Sequence, residues 1–227
     1  MQKLTDKQIE DMQKALGEIC DWYHQLKPVT IPAKESALFN IDTNVGFVYE
    51  GAMSNPLAPG RVPNIIELFT KASERGVPIV CITEGHDENS LEFEAYPPHC
   101  IRGTEEAELI PELRKFKTDL MVYKHSTNGF HEKELKEWID SNTNINTIVF
   151  SGFLTDVCVM EPAVAIKTYG NKIGRKINVV ICEPAVGSYN LELGDIRLNH
   201  NAELHHLMAL KFMQTAGCII ASDIIFE

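Results

Sequence analysis

NTIVFSGFLTDVCV, residues 146–159, decides the architecture. Residues 146–153 form a short apolar run, the pattern of a strand buried on both faces. From residue 156 to 170 the pattern changes, and Val157, Met160, Val164 and Ile166 fall on helical spacing. A strand that passes almost directly into a helix is half of a βα unit. The same alternation repeats on both sides. Upstream, ALFNIDT (37–43) predicts a strand, and residues 62–75 a helix that Gly76 stops. PIVCIT (78–83) predicts a second strand, residues 105–116 a short helix, DLMVYK (119–124) a third strand and HEKELKEWIDS (131–141) a helix. Downstream come a strand at INVVICEPAV (177–186), a long helix over 198–216 with Gly217 past its end, and a last strand at CIIASDIIF (218–226). The pattern predicts an α/β fold. Three α/β/α layers surround a six-stranded, mainly parallel sheet of Rossmann-like topology. No GxGxxG follows the first strand, where IDTNVG offers a single glycine, so a dinucleotide is not the expected ligand.

The 227 residues suit one such domain with an added arm. Over residues 5–26, Ile9, Met12, Leu16, Ile19, Tyr23 and Leu26 mark one face of a helix, with Thr5 or Asp6 as its cap. LKPVTIPAKES (26–36) carries two prolines and no periodicity, and reads as a linker. The expected division is an N-terminal helical arm and linker over 1–34 and the main domain over 35–227. An amphipathic helix needs a surface to bury against, on its own domain or on another subunit.

The formal charge of −11 disfavours nucleic acid and anionic membranes as partners, since both are polyanions. A small neutral or cationic substrate is compatible with it. No apolar run reaches the roughly 20 residues that span a bilayer. The charged, amphipathic start lacks the apolar stretch of a signal peptide. The six cysteines, at 20, 81, 100, 158, 182 and 218, form no CxxC pair. That scatter reads as reduced thiols, and the expected setting is cytoplasmic.

Ligands of open α/β sheets gather beyond the carboxyl ends of the strands. Those ends are Asp42 to Asn44, Glu84 to His86, Lys124 to Ser126 and Phe153 to Cys158. Cys158 is expected in the first turn of a helix, where backbone N–H groups and the helix dipole favour a thiolate. A carboxylate at Asp42 can take the thiol proton, and the Lys124 cation can hold that carboxylate ionised. Each residue alone is more often structural: a small buried thiol, a turn cap, a solvated lysine. Their joint placement at one rim carries the case. In TEGHDENSLEFEAYPPHC (83–100), Glu84 and His86 alternate at a strand end, so both can face one side. With Glu92 and His99 they make a donor set suited to a divalent metal: zinc, or iron or manganese. Asp87, Glu88 and Glu94 lie close by and leave the assignment open. His125, His205 and His206 read as structural or surface residues. Adjacent histidines on a helix diverge and make poor joint ligands.

IDTNVGFV (41–48), YKHSTNGF (123–130) and GFLTDVCV (152–159) resemble, in this order, the three motif blocks of the isochorismatase-like cysteine hydrolases. PPHCIRGTEEAEL (97–109) resembles a further block of the nicotinamidase-related branch. The resemblance runs over roughly residues 37–226. It implies the isochorismatase-like fold, a triad of Asp42, Lys124 and Cys158, and a cis peptide at Phe153–Leu154. That peptide aims the Leu154 N–H, with that of Cys158, at an oxyanion. It implies release of ammonia from nicotinamide or a similar small carboxamide, and no organic cofactor. It also implies a metal held by Glu84, His86, Glu92 and His99 that contacts the substrate's pyridine nitrogen, although Glu84 stands where Asp is usual. Phe47, Tyr96 and Thr127 match positions that line the substrate pocket, and relatives are commonly homo-oligomers. A metal-independent ureido or carbamoyl amidase, and a non-catalytic member binding a small ligand or a partner, are the alternatives.

Overall fold

The computed structural model describes residues 3–190 and 200–227. Helix α1, Asp6–Tyr23, starts in a reciprocal cap: the Thr5 hydroxyl accepts from the Gln8 N–H, and the Gln8 side chain returns to the Thr5 N–H. Strand β1 is Val29–Ile31 and β2 is Ser36–Ile41. A four-residue helix α2, Val45–Val48, comes next, followed by α3, Val62–Glu74, and β3, Ile79–Glu84. Then come β4, Leu120–Lys124, α4, Lys133–Ser141, and β5, Thr147–Phe153. The chain ends with α5, Met160–Ile173, β6, Asn178–Gly187, α6, Ala202–Thr215, β7, Ile219–Ala221, and β8, Ile224–Phe226.

Among the described residues, six strands form one parallel sheet in the order β4-β3-β2-β5-β6-β7. The order reverses beside β2, so the carboxyl ends of β2, β3, β4 and β5 surround one crevice. β2, β3 and β5 are buried at every position, which explains their continuous apolar runs. Ile65, Leu68, Phe69 and Ala72 of α3 cover one face. Leu135 and Ile139 of α4, Ala163 and Ile166 of α5, and Leu210 and Met213 of α6 cover the other. The fold is the α/β/α sandwich that the alternation predicts.

Five local expectations differ from the structure. The helix expected over 105–116 is only a turn of 3₁₀ helix at Glu105–Ala107. Pro111 lacks an N–H and disfavours helical backbone at Ile110, so the chain runs extended instead. Leu109 then bridges Asn44, and the Ile110 N–H donates to the Thr43 carbonyl at 3.1 Å, bracing the tip of β2. The expected linker contains β1, which pairs in parallel with β8. The expected last strand splits at Ser222 and Asp223. β7 joins the main sheet, while β8 leaves it for β1. Residues 198–199, where the last helix was expected to begin, lie outside the described residues, and α6 starts at Ala202. Finally, α5 begins later than residue 156, because a π-helical turn, Thr155–Val159, precedes it. Such wide turns are rare, and they recur at functional sites.

Gly152 makes the transition from β5 possible. Its φ is +108°, and a Cβ there would lie 1.8 Å from the Ile41 carbonyl oxygen. No side chain fits, so β2 and β5 approach closely just before their tips. None of the described helices is long and apolar enough to cross a membrane.

Candidate active site

Three strand tips bring Asp42, Lys124 and Cys158 together. Asp42 follows β2 with a φ of 47°, a left-handed conformation that Asp tolerates better than most residues. That turn directs its carboxylate across the tip of β3, where the Glu84 N–H donates to Asp42 Oδ1 at 2.9 Å. Lys124 ends β4, fully buried, with Nζ 2.9 Å from Asp42 Oδ2 and 3.5 Å from Cys158 Sγ. The sulfur lies within 4.8 Å of a carboxylate oxygen of both Asp42 and Glu84.

Glu84 joins two groups that the sequence reading kept apart. The register of β3 and β4 sets Glu84 directly opposite Lys124. The Lys124 Nζ donates to Glu84 Oε1 at 2.6 Å, and the Cys158 thiol faces the same oxygen at 3.7 Å. The other oxygen, Oε2, lies 2.6 Å from His99 Nε2 and 3.4 Å from His86 Nε2. The extra methylene of Glu, compared with Asp, lets one carboxylate face both the lysine and the imidazoles.

Burial dominates the electrostatics of this cluster. It pushes the Cys158 thiol well above its ordinary pKa; the Lys124 cation pulls it down, and Asp42 and Glu84 push it up. Burial thus works against the thiolate that the helix start favours. Burial also lifts Asp42, and even with Lys124 beside it the carboxyl titrates at about 7. Burial disfavours the Lys124 cation, but Asp42, Cys158 and Glu84 more than compensate and hold its pKa well above the usual range. For Glu84, burial is outweighed by Lys124 and by the adjacent His86 and His99 imidazoles, so the carboxyl stays well below its usual range. Two carboxylates in one dry site thus divide their roles: Glu84 is held as an anion, and Asp42 is poised to exchange a proton near neutrality.

Glu84, His86, Glu92 and His99 present donor atoms within 4.8 Å of one another. Asp87, Glu88 and Glu94 are exposed and take no part, which closes that ambiguity. The His99 Nδ1–H donates to the Pro97 carbonyl at 2.7 Å, and His86 Nδ1 meets the Ser90 hydroxyl at 3.3 Å. Each imidazole therefore turns Nε2 inward, as metal-binding histidines oriented by outer partners do. Among the described residues, the buried His86 Nε2 has no hydrogen-bond partner. An orphaned buried imidazole nitrogen is costly unless something else occupies it. Two inward imidazoles and two carboxylates fit a tetrahedral divalent metal such as zinc.

Both groups face one narrow cavity, which Phe47, Met53, Tyr96, Thr127, Phe153, Leu154 and Val157 also line. Phe47 and Tyr96 set their rings edge-on to His99, with centroids 5.6 and 6.3 Å away. The Thr127 hydroxyl donates to Glu161 Oε2 at 2.8 Å. The Phe153–Leu154 peptide is cis. Sequence reasoning missed Met53, which lies in a stretch without periodicity. It also treated His206 as an unremarkable helix residue. His206 is buried, and its Nδ1 sits 2.9 Å from the Thr155 hydroxyl in the turn beside Cys158. His125 is exposed and pairs with Glu132, and His205 stacks on His200.

The parallel sheet carries a cysteine, a carboxylate and an ammonium at one rim. The chain belongs to the isochorismatase domain family, whose pattern matches residues 36–221. It is 26% identical over 233 residues to Nicotinamidase 1 of Arabidopsis thaliana, with 88% of this chain and 95% of that protein covered. A second Arabidopsis thaliana relative, described as a probable inactive nicotinamidase, is 25% identical over 140 residues, covering 56% of this chain and 70% of its own. Among solved structures, the pyrazinamidase of Pyrococcus horikoshii in complex with zinc superimposes with a TM-score of 0.66 at 22% identity. The match covers 82% of this chain and 98% of that one, and it is a likeness of fold.

Proposed function

We propose that this hydrolase is a cysteine-dependent amidohydrolase that releases ammonia from nicotinamide or a similar small carboxamide through a thioester. One observation carries the reading: Cys158 and Asp42, both within reach of the buried Lys124 ammonium, line the same apolar cavity as Glu84, Glu92 and His99 of the donor set. Asp42 accepts the thiol proton of Cys158, and the thiolate attacks the amide carbon. The N–H groups of Leu154 and Cys158 hold the oxyanion. Asp42 returns its proton to the departing ammonia. Water then opens the thioester, with Asp42 again as base, and the carboxylic acid leaves. Lys124 stays cationic throughout and keeps the cluster's net charge from building up as protons move. Phe47, Tyr96 and Thr127 bound the space for the ring.

Glu84, His86, Glu92 and His99 are the residues that would hold a divalent metal, zinc first and iron or manganese as alternatives. Such an ion supplies a Lewis-acid contact for the ring nitrogen of a pyridine carboxamide. The chain's own contribution is to turn both Nε2 atoms inward, through the Pro97 carbonyl and the Ser90 hydroxyl that meet the Nδ1 atoms. The protein is expected to carry about one zinc per chain by elemental analysis. His86→Ala with His99→Ala is expected to weaken zinc binding at least about 100-fold in a competition titration. Equal zinc retention by wild type and variant would remove the metal from the proposal.

A metal site favours a pyridine carboxamide over a ureido compound. Ammonia release from nicotinamide, measured beside N-carbamoylsarcosine, tests that choice: turnover of the ureido compound alone would replace the reading. The rival from another class is a non-catalytic protein, and the relative described as probably inactive makes it concrete. In that case the purified protein would turn over neither compound.

The proposal includes self-association and a cytoplasmic setting. All six cysteines are free thiols. Leu4, Ile9, Met12 and Leu16 of the arm, with Leu204 and Phe212 of α6, are exposed; Met12 and Phe212 are each 58% accessible. Contiguous apolar faces of this kind mark contact surfaces. Sedimentation is expected to show a species heavier than the 25.5 kDa chain. A monomer at all micromolar concentrations would remove self-association.

A further inference from the structure

We infer that Tyr23, Glu183 and His206 form a positioning line that ties the N-terminal helix to the turn presenting the nucleophile. The inference rests on the amidohydrolase reading of that turn. Glu183, in β6, is buried at 8% exposure, and three donors meet on its Oε1. The Tyr23 hydroxyl donates at 2.7 Å, the Arg61 guanidinium lies at 3.4 Å and His206 Nε2 at 3.3 Å. On the far side of the imidazole, Nδ1 lies 2.9 Å from Thr155 Oγ1. His206 is 6% exposed and Thr155 fully buried.

The chemistry of the partners fixes the direction of the line. A carboxylate only accepts, so a neutral His206 carries its proton on Nε2 and points it at Glu183. On that neutral imidazole Nδ1 accepts, and the Thr155 hydroxyl donates to it. Glu183 stays ionised. Burial pushes its carboxyl up, but the hydrogen bonds from His206 and Tyr23 and the charge of Arg61 outweigh that and hold it below its usual range. Each bond therefore orients the next, from α1 through β6 and α6 to Thr155.

Thr155 sits between the two N–H groups assigned to the oxyanion. Leu154 precedes it, and the π-helical turn runs from Thr155 past Cys158. Two backbone bonds, from the Val157 and Val159 N–H groups to the Leu154 carbonyl, hold that turn from within. The Thr155 hydroxyl anchors it from outside, to α6. Tyr23 lies in α1, before the matched family region of 36–221. Trp22 and Tyr23 in the last turn of α1, with Leu26 after it, pack on the core, and Lys211 lies 4.8 Å over the Trp22 ring. These residues are positioning residues and touch no reacting atom.

Thr155→Val, Thr155→Ser and Tyr23→Phe test the line, with two readouts. These are kcat and KM for nicotinamide, and the rate at which iodoacetamide alkylates Cys158, followed by peptide mass spectrometry. Thr155→Val keeps the shape and removes the donor. It should lower kcat about tenfold and slow alkylation, with KM within about twofold. Thr155→Ser should restore both. Tyr23→Phe should lower kcat and alkylation by about threefold, and the Tyr23→Phe/Thr155→Val pair should fall short of the product of the two effects. Should Thr155→Val fail to fold, Tyr23→Phe carries the test, since it removes one oxygen from a residue outside the core. Turnover and alkylation within twofold of wild type in Tyr23→Phe and in any folded Thr155→Val would overturn the inference. A wild type that hydrolyses no carboxamide, yet shows this alkylation pattern, would sink the amidohydrolase reading and leave the line standing.

Discussion

Lys124→Met is expected to destabilise the protein by about 3–5 kcal/mol, the cost of removing one partner from a buried ion pair. The side chain is fully buried and is the ammonium between Asp42 Oδ2 at 2.9 Å and Glu84 Oε1 at 2.6 Å. Methionine fills a similar volume, so little of the loss comes from a cavity. What remains is two carboxylates in a dry site without their cation. Urea unfolding at pH 7 measures the deficit. The deficit should grow as pH rises above about 7, where wild-type Asp42, lifted there by burial, ionises beside its cation while the variant's has none. Activity should fall beyond measurement even in folded protein, because no cation then offsets the thiolate. Stability within about 1 kcal/mol of wild type would mean that Lys124 does not hold the two carboxylates together.

The same residue shows how far the sequence could be read. Lys124, Asp42 and Cys158 were legible because buried parallel strands leave unbroken apolar runs, and the residue after each run must sit at the rim. Glu84 was legible as a rim residue and was placed with the metal donors. Its bond to Lys124 was not legible. It depends on β3 and β4 being neighbours in a register that sets the two residues side by side, and register between strands 40 residues apart leaves no local trace. The thiol's electrostatics misled for a related reason. A cysteine at a helix start suggests a lowered pKa, but burial is a tertiary property and here it wins. The failed helix at 105–116 could have been caught, since Pro111 stands in its middle. The split of the last strand had only Ser222 and Asp223 to announce it. Thr155 and His206 lie 51 residues apart, and only the packing of α6 against the π-helical turn joins them.

One structural idea links these observations. A glutamate at the tip of β3 gives the site a single carboxylate that faces the Lys124 ammonium with one oxygen and the donor set with the other. That leaves Asp42 alone as the group able to trade a proton with sulfur near neutral pH. The arrangement predicts that the chemistry at Cys158 and the occupancy of the donor set are separable by mutation, since they share Glu84 but no other side chain.

Everything functional depends on sulfur at position 158 being the atom that attacks. Cys158→Ala removes only the sulfur from a side chain that is 5% exposed, so the fold should survive. Ammonia release from nicotinamide by purified wild type and Cys158→Ala, at matched zinc content, is the direct measurement. The expected result is turnover by wild type and a loss of about four orders of magnitude or more in the variant, as for other enzymes stripped of their nucleophile. A variant that still releases ammonia within about tenfold of wild type would contradict the covalent mechanism.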